Sequence, residues 1–127
     1  MQRLVFEKKW EYTISANDKL QIQQLFKKTS SNPEQKSIDM YPIRFALNHR
    51  RDLLATMLIH NFTDQSINLS NMEISICYDK FEIAHHSFQE GRLRLQANTS
   101  MPWTFIFPEG SYDDFPSQTD SIAIKIR

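Results

Sequence analysis

At 127 residues the chain is long enough for one domain with a single core and too short to divide comfortably in two, so residues 1–127 are read as a single domain. A hydrophobic content of 40% and an aromatic content of 12% exclude the disordered class. Fifteen basic residues balance fifteen acidic ones, so no net field draws the chain to nucleic acid or an anionic membrane.

Residues 3–14 come first. Leu4, Phe6, Trp10, Tyr12 and Ile14 fall on even positions, interrupted by charges from Glu7 to Lys9; the spacing predicts one extended strand or two short ones. "SANDKLQIQQLFKKT" follows, with Ile22, Leu25 and Phe26 on one helical face and Lys27 and Lys28 where the helix dipole favours cations. Ser15, Asn17 and Asp18 are all capping types, and Asn17 or Asp18 is the expected cap of a helix over 18–28. A stripe this narrow predicts a helix lying on the domain, outside its core.

"SSNPEQKSIDMYP" has loop composition, with Pro33 and Pro42 as breakers. Beyond it the chain reads almost wholly as strand. Residues 43–47 and 53–62 form a hairpin around the polar tip 48–52, and the second arm is apolar on both faces, as a central strand should be. "TDQSINLSN" turns the chain. "MEISICYD" then alternates, with Met72, Ile74, Ile76 and Tyr78 on one side and Glu73, Ser75 and Cys77 on the other. "KFEIAHHSF", "RLRLQA", "WTFIF" and "SIAIKIR" complete the series. The expected fold is mostly β: an antiparallel, immunoglobulin-like β-sandwich of about seven strands with one short N-terminal helix.

Within "MPWTFIFPE" the aromatics Trp103, Phe105 and Phe107 project to one face, Thr104 and Ile106 to the other. Three large rings on one face exceed what a soluble surface usually exposes as one patch, so they are expected in the inter-sheet core. Pro102 and Pro108 are expected at the strand ends, where a missing N–H breaks no ladder bond. Only two glycines are present, so Asn48, Asn61, Asn71 and Asn98 are expected to make corners.

Little here points to catalysis. His85 and His86 are adjacent, so in a strand they face opposite ways and do not chelate one metal. Cys77 is the lone cysteine, which excludes an intrachain disulfide. As a nucleophile it needs a converging base, for which His60 and His86 are the candidates. Its polar phase suggests a partly covered thiol. Asp113 and Asp114 form a paired-acid loop without the regular oxygen spacing of a calcium site. Neither a nucleophile elbow nor a phosphate-cradling glycine loop is present. The expectation is no catalytic, cofactor-binding or metal-binding residue and no cofactor. No apolar run approaches the roughly 20 residues of a spanning helix. The first ten residues offer no signal-peptide core, so a cytoplasmic protein is expected.

The order "SIDMYPIRF", "LLATMLIHNFTDQSINLSNMEISICYDKFEIAHHSFQEGRLRL" and "SMPWTFIFPE" resembles the bacterial SLAP domain of Firmicutes, named for accessory Sec system S-layer assembly proteins. The matching residues are Trp10 in a Trp-containing strand before a short helix, then Ile59-His60-Asn61 at a corner and Ile67 and Leu69 after it. Ile83-Ala84 and Phe88 follow, and Pro102-Trp103-Thr104-Phe105-Ile106-Phe107 close the pattern. His60 stands where the family pattern has a basic corner residue, and "DKFEIA" lacks the glycine of its Asp-x-Gly turn. The resemblance implies a non-enzymatic role in binding protein, with accessory Sec components or surface-layer protein as partners. The surface for this is a sheet edge or the groove between helix 18–28 and the sheet. Two other classes are distinguishable. A module stacking exposed aromatics on a peptide or carbohydrate requires an accessible Trp10 or Trp103, and an enzyme built on Cys77 requires a fast-reacting thiol.

Overall fold

A computed structural model describes residues 2–30, 37–89, 91, 93–113 and 122–126. Pro33 and Asp114, singled out above, lie outside the described residues. The protein is mostly β. In chain order the elements are β1 (Arg3–Leu4), α1 (Lys8–Thr13), α2 (Ala16–Thr29), β2 (Ile38–Leu47), β3 (Leu53–Asn61) and β4 (Ile67–Asn68). They continue as β5 (Met72–Tyr78), β6 (Phe81–Phe88), β7 (Arg94–Leu95), β8 (Thr99–Phe107) and β9 (Ile122–Ile126). The described residues form nine strands against the expected seven or so; β1 and β7 are two-residue pieces of stretches read as strand, while β4 is a two-residue piece of the segment read as a turn.

The order β1-β8-β3-β2 makes one sheet and β6-β5-β9 a second, while β4 and β7 pair separately. All pairs are antiparallel except β1 with β8. Register decides what faces inward. Leu53, Ala55 and Met57 stand opposite Phe107, Phe105 and Trp103, so all six share one face, and all are buried. They pack with Met72, Ile74, Ile76, Ala84, Phe88 and Ile122 of the second sheet. Phe88 crosses between the sheets, its ring edge-on to Phe105 at 5.2 Å and to Phe107 at 5.0 Å. Ala55 leaves the room that Phe105 fills. The aromatic strand is therefore core, as its alternation implied, with Trp103 only 6% exposed and Ile106 on the outer face at 51%.

Three expectations need correction. Residues 8–13 are helical where a strand was expected, so the described residues hold two helices and Trp10 sits on the first. The Trp10 and Ile14 pair, four residues apart, is partly buried, whereas Tyr12, the intervening even position, is 84% exposed. That is a helical pattern. The cap of α2 is Ser15, whose Oγ accepts from Asp18 N–H at 3.0 Å, in place of Asn17 or Asp18.

Neither Pro42 nor Pro102 ends a strand. Ser37 C=O accepts from Phe62 N–H, so along β2 the odd-numbered residues turn their main chain to β3 and Pro42 turns outward at the sheet edge. The register shifts immediately after it. Likewise Asn98 and Ser100 give their carbonyls to Arg3 and Val5 N–H, which places the main chain of Pro102 on the same side. There β1 has already ended. Each proline thus occupies a position whose N–H has no ladder partner to lose.

With few glycines, the corners fall to other residues. Arg51, Asp79 and Asn98 take φ values of 62°, 55° and 54°, and Asp79 makes the β5–β6 turn without a glycine. Asn48 Oδ1 accepts from Arg50 and Asp52 N–H at 2.9 Å each, and the Tyr112 hydroxyl donates to Arg51 C=O. Buried Asn61 donates to Gln65 C=O at 2.9 Å and Gln96 C=O at 3.0 Å and accepts from Thr63 N–H at 3.0 Å. It fixes the exit of β3 against β7. Replacing Trp103 with Ala should lower stability by about 3–5 kcal/mol, measured by denaturant unfolding; a loss below about 1 kcal/mol would show that the ring is not core.

Candidate functional site

Two layers meet β3. Its inner residues join the inter-sheet core, while Thr56, Leu58, His60 and Phe62 alternate to the outer face and are also buried. The two helices cover them. Of the fourteen residues of α2 only Ile22 is fully buried, with Leu25, Phe26 and Thr29 half-buried beside it. Outside contacts are thin. Arg44 and Asp18 pair at 3.5 Å across β2 and α2, with side chains 64% and 34% exposed, which makes the pair worth at most about 1 kcal/mol.

His60 supplies the polar tie. It is wholly buried, stacked on Phe62 with 4.8 Å between centroids, and met edge-on by Tyr41 at 5.5 Å. Thr29 Oγ1 donates its proton to Leu25 C=O at 2.7 Å, so at 2.7 Å from His60 Nε2 it can only accept. The imidazole therefore carries its proton on Nε2, and Nδ1 accepts from the Ser100 hydroxyl. Ser100 Oγ in turn accepts from Gln2 Nε2 at 3.0 Å. Burial lowers the His60 pKa from 6.5 to about 4. Burial also raises that of Tyr41, with the Asp39 charge adding to it.

Beside this tie the layers part. Trp10 and Thr13 of α1, Ile14 at its C-cap, Asp18, Gln21 and Ile22 of α2, and Ile43, Arg44 and Thr56 of the sheet enclose a groove of about 200 Å³. Its floor includes Thr56, bonded to Thr104 at 2.9 Å. One register step further, Ala46, Leu54 and Ile106 lie side by side across β2, β3 and β8. Ala46 and Ile106 are exposed and Leu54 is half-buried. The groove thus continues into an aliphatic strip.

A second opening lies at the sheet edges. Residues 38–42 of β2 and 122–126 of β9 line a groove of about 590 Å³. The other edge of the second sheet is covered, since Ser111 C=O accepts from His85 N–H and Ile83 C=O accepts from Asp113 N–H.

The histidine and cysteine candidates do not converge. His85 is exposed, 3.9 Å from Glu73, while His86 packs against Phe88 at 5.0 Å on the inner face. Cys77 is buried, more covered than its phase suggested, and lies across from Ala123 and Glu82 on the outer face of β5. His86 is on the opposite face and His60 in the other sheet, so neither is placed to act as its base. No group of three or more His, Cys, Asp or Glu among the described residues could hold a metal ion. Trp103 is not accessible for stacking, whereas Trp10 is half-buried and lines the groove. The other signature residues are structural: Ile59, Ala84, Phe88, Phe105 and Phe107 are core, and Ile83 packs against it. Pro102 is buried within β8, and Thr104 supports the groove floor.

A family model described as the SLAP domain matches residues 4–126. No curated protein matches, and no solved structure does. The helical layer depends on one aliphatic anchor more than on its ion pair. Ile22→Ala should therefore cost about 2–5 kcal/mol and Arg44→Ala less than about 1 kcal/mol in denaturant unfolding; the reverse order would contradict this.

Proposed function

The chain belongs to the SLAP domain family, and from that premise we propose that it is a non-catalytic protein-binding domain whose contact surface is the Trp10 groove with its aliphatic strip. The observation that carries this is the continuity of groove and strip. About 200 Å³ is below the roughly 300–1,000 Å³ of small-molecule sites, and suits one or two apolar side chains of a partner. Ile106, 51% exposed, extends the contact beyond the groove mouth, where a partner's backbone would run. Electrostatics adds no strong selection, since acidic and basic residues balance.

The finer reading follows from the family. The partner is an accessory Sec component or a surface-layer protein, met in the cytoplasm during export or assembly. An immunoglobulin-like reading of the sandwich is supported by the orders β2-β3-β8 and β6-β5-β9, which match the A-B-E and C′-C-F neighbours of such domains, while β1 lies parallel to β8 at the remaining edge. No helix is long and apolar enough to cross a membrane among the described residues.

Ile106→Asp tests the reading, because the side chain is exposed and its loss leaves the core intact. Affinity capture with the wild-type chain should retain an accessory Sec component or a surface-layer protein. Ile106→Asp should melt within about 1 kcal/mol of the wild type and lose that partner at least tenfold. Capture of neither class, or capture indifferent to Ile106→Asp, would overturn it.

A further inference from the structure

We propose that His60 is a proton-operated latch on the helical layer: proton uptake at Nδ1 breaks its bond from Ser100 and releases α2 from the sheet, leaving the sandwich folded.

The geometry supplies each part. The relay from Gln2 through Ser100, His60 and Thr29 to Leu25 runs in one direction, each member donating to the next. It has one consistent arrangement of protons, with Nδ1 as acceptor. A proton added to Nδ1 meets a hydroxyl hydrogen already pointing at it. Ser100 must then turn its own proton elsewhere, and the imidazolium is left in a wholly buried, ring-lined site.

The groups facing the ring offer little compensation. From α2 come Phe26 and Thr29, and its cations Lys27 and Lys28 are exposed. Phe62, Ser100 and Gln2, from beyond β3, from β8 and from the chain before β1, are uncharged. From β2 come Tyr41 and, opposite His60 in the register, Asp39, whose carboxylate favours the charged ring. Burial prevails, since the His60 pKa falls to about 4 despite that neighbour.

Release is local because the layers are distinct. The inter-sheet core contains neither His60 nor Ile22, so it survives departure of α2. The helix has one fully buried side chain, Ile22; the half-buried Leu25 and Phe26, the relay and a partly exposed ion pair supply further hold.

The sign follows from the pKa difference. Above pH 6.5 the ring is neutral whether α2 is docked or lifted, and pH has no effect. As pH falls from 6.5 toward about 4 the lifted state binds the proton and the docked state does not, so lifting becomes progressively more favourable. Below about 4 both states are protonated and the effect levels off. With 6.5 for the lifted state, the opening constant at pH 4.5 is about 70-fold that at pH 7.5. Because Ile22 and Asp18 line the Trp10 groove, lifting α2 also dismantles it. That consequence rests on the function proposed above; the latch does not.

Hydrogen exchange of the free, full-length chain at pH 7.5 and 4.5, corrected for intrinsic rates, tests it. Amides of α2 should open about 70-fold more at pH 4.5 while those of β3, β5 and β8 keep their protection. His60→Gln, which can donate and accept but does not titrate, should remove the increase. If that variant fails to fold, the wild-type ring decides by NMR. His60 should be the Nε2–H tautomer at pH 7.5, and its protonation should track α2 opening as pH falls. An unchanged α2, an equal opening in His60→Gln, loss of sheet protection together with α2, or a ring that protonates near pH 6.5 with α2 still protected would each overturn the latch. Partner capture at pH 7.5 is a separate arm: its absence alone would remove the binding function and leave the latch standing.

Discussion

Everything in this molecule hangs on β3 being buried on both faces. Eight of its nine residues are buried, and each face belongs to a different layer. The inner one meets the aromatic strand β8 and the second sheet; the outer one meets the helices. A strand in that position has no solvent side, which explains the apolar run and why its three polar members, Thr56, His60 and Asn61, are hydrogen-bonded to neighbours.

The two layers differ in kind. The inter-sheet core interlocks large rings with small residues, as where Phe105 lies across from Ala55, and such packing tolerates little movement. Helical cover is thinner and partly polar. A layer held by one aliphatic anchor and a hydroxyl–imidazole relay can move without disturbing the sandwich, and such low-stability elements are where binding and switching are usually found. Groove, aliphatic strip and titratable tie all lie on the outer face of the sheet that this layer partly covers. His60, near the end of β3, is the layer's fastening.

Much of the sandwich was legible in the sequence because period-two alternation is strong in "MEISICYD", "WTFIF" and "LLATMLIHNF". The inward face of Trp103, Phe105 and Phe107 followed from that alone, as did the opposed faces of His85 and His86. The helical layer was less legible. In residues 8–13 the helical pair Trp10 and Ile14 also fits a strand phase, and exposed Tyr12 falls on the same phase. Prolines misled because their placement depends on which way the main chain faces. Pro42 and Pro102 are tolerated inside strands through the absence of a neighbour on one side, and sequence does not show where a neighbouring strand ends. His60 gave no signal as a tie, since its partners Gln2, Thr29 and Ser100 are scattered along the chain and only the fold brings them together. The groove is likewise a product of assembly, built from α1, α2, β2 and β3.

The claim that two independent layers share β3 is open to one direct measurement: a double-mutant cycle of Ile22→Ala, in the helical layer, and Phe88→Ala, in the inter-sheet core, followed by denaturant unfolding. Separate layers predict that the two losses add to within about 0.5 kcal/mol. A coupling above about 1 kcal/mol would mean that helices and sandwich form one cooperative core, and would contradict the account.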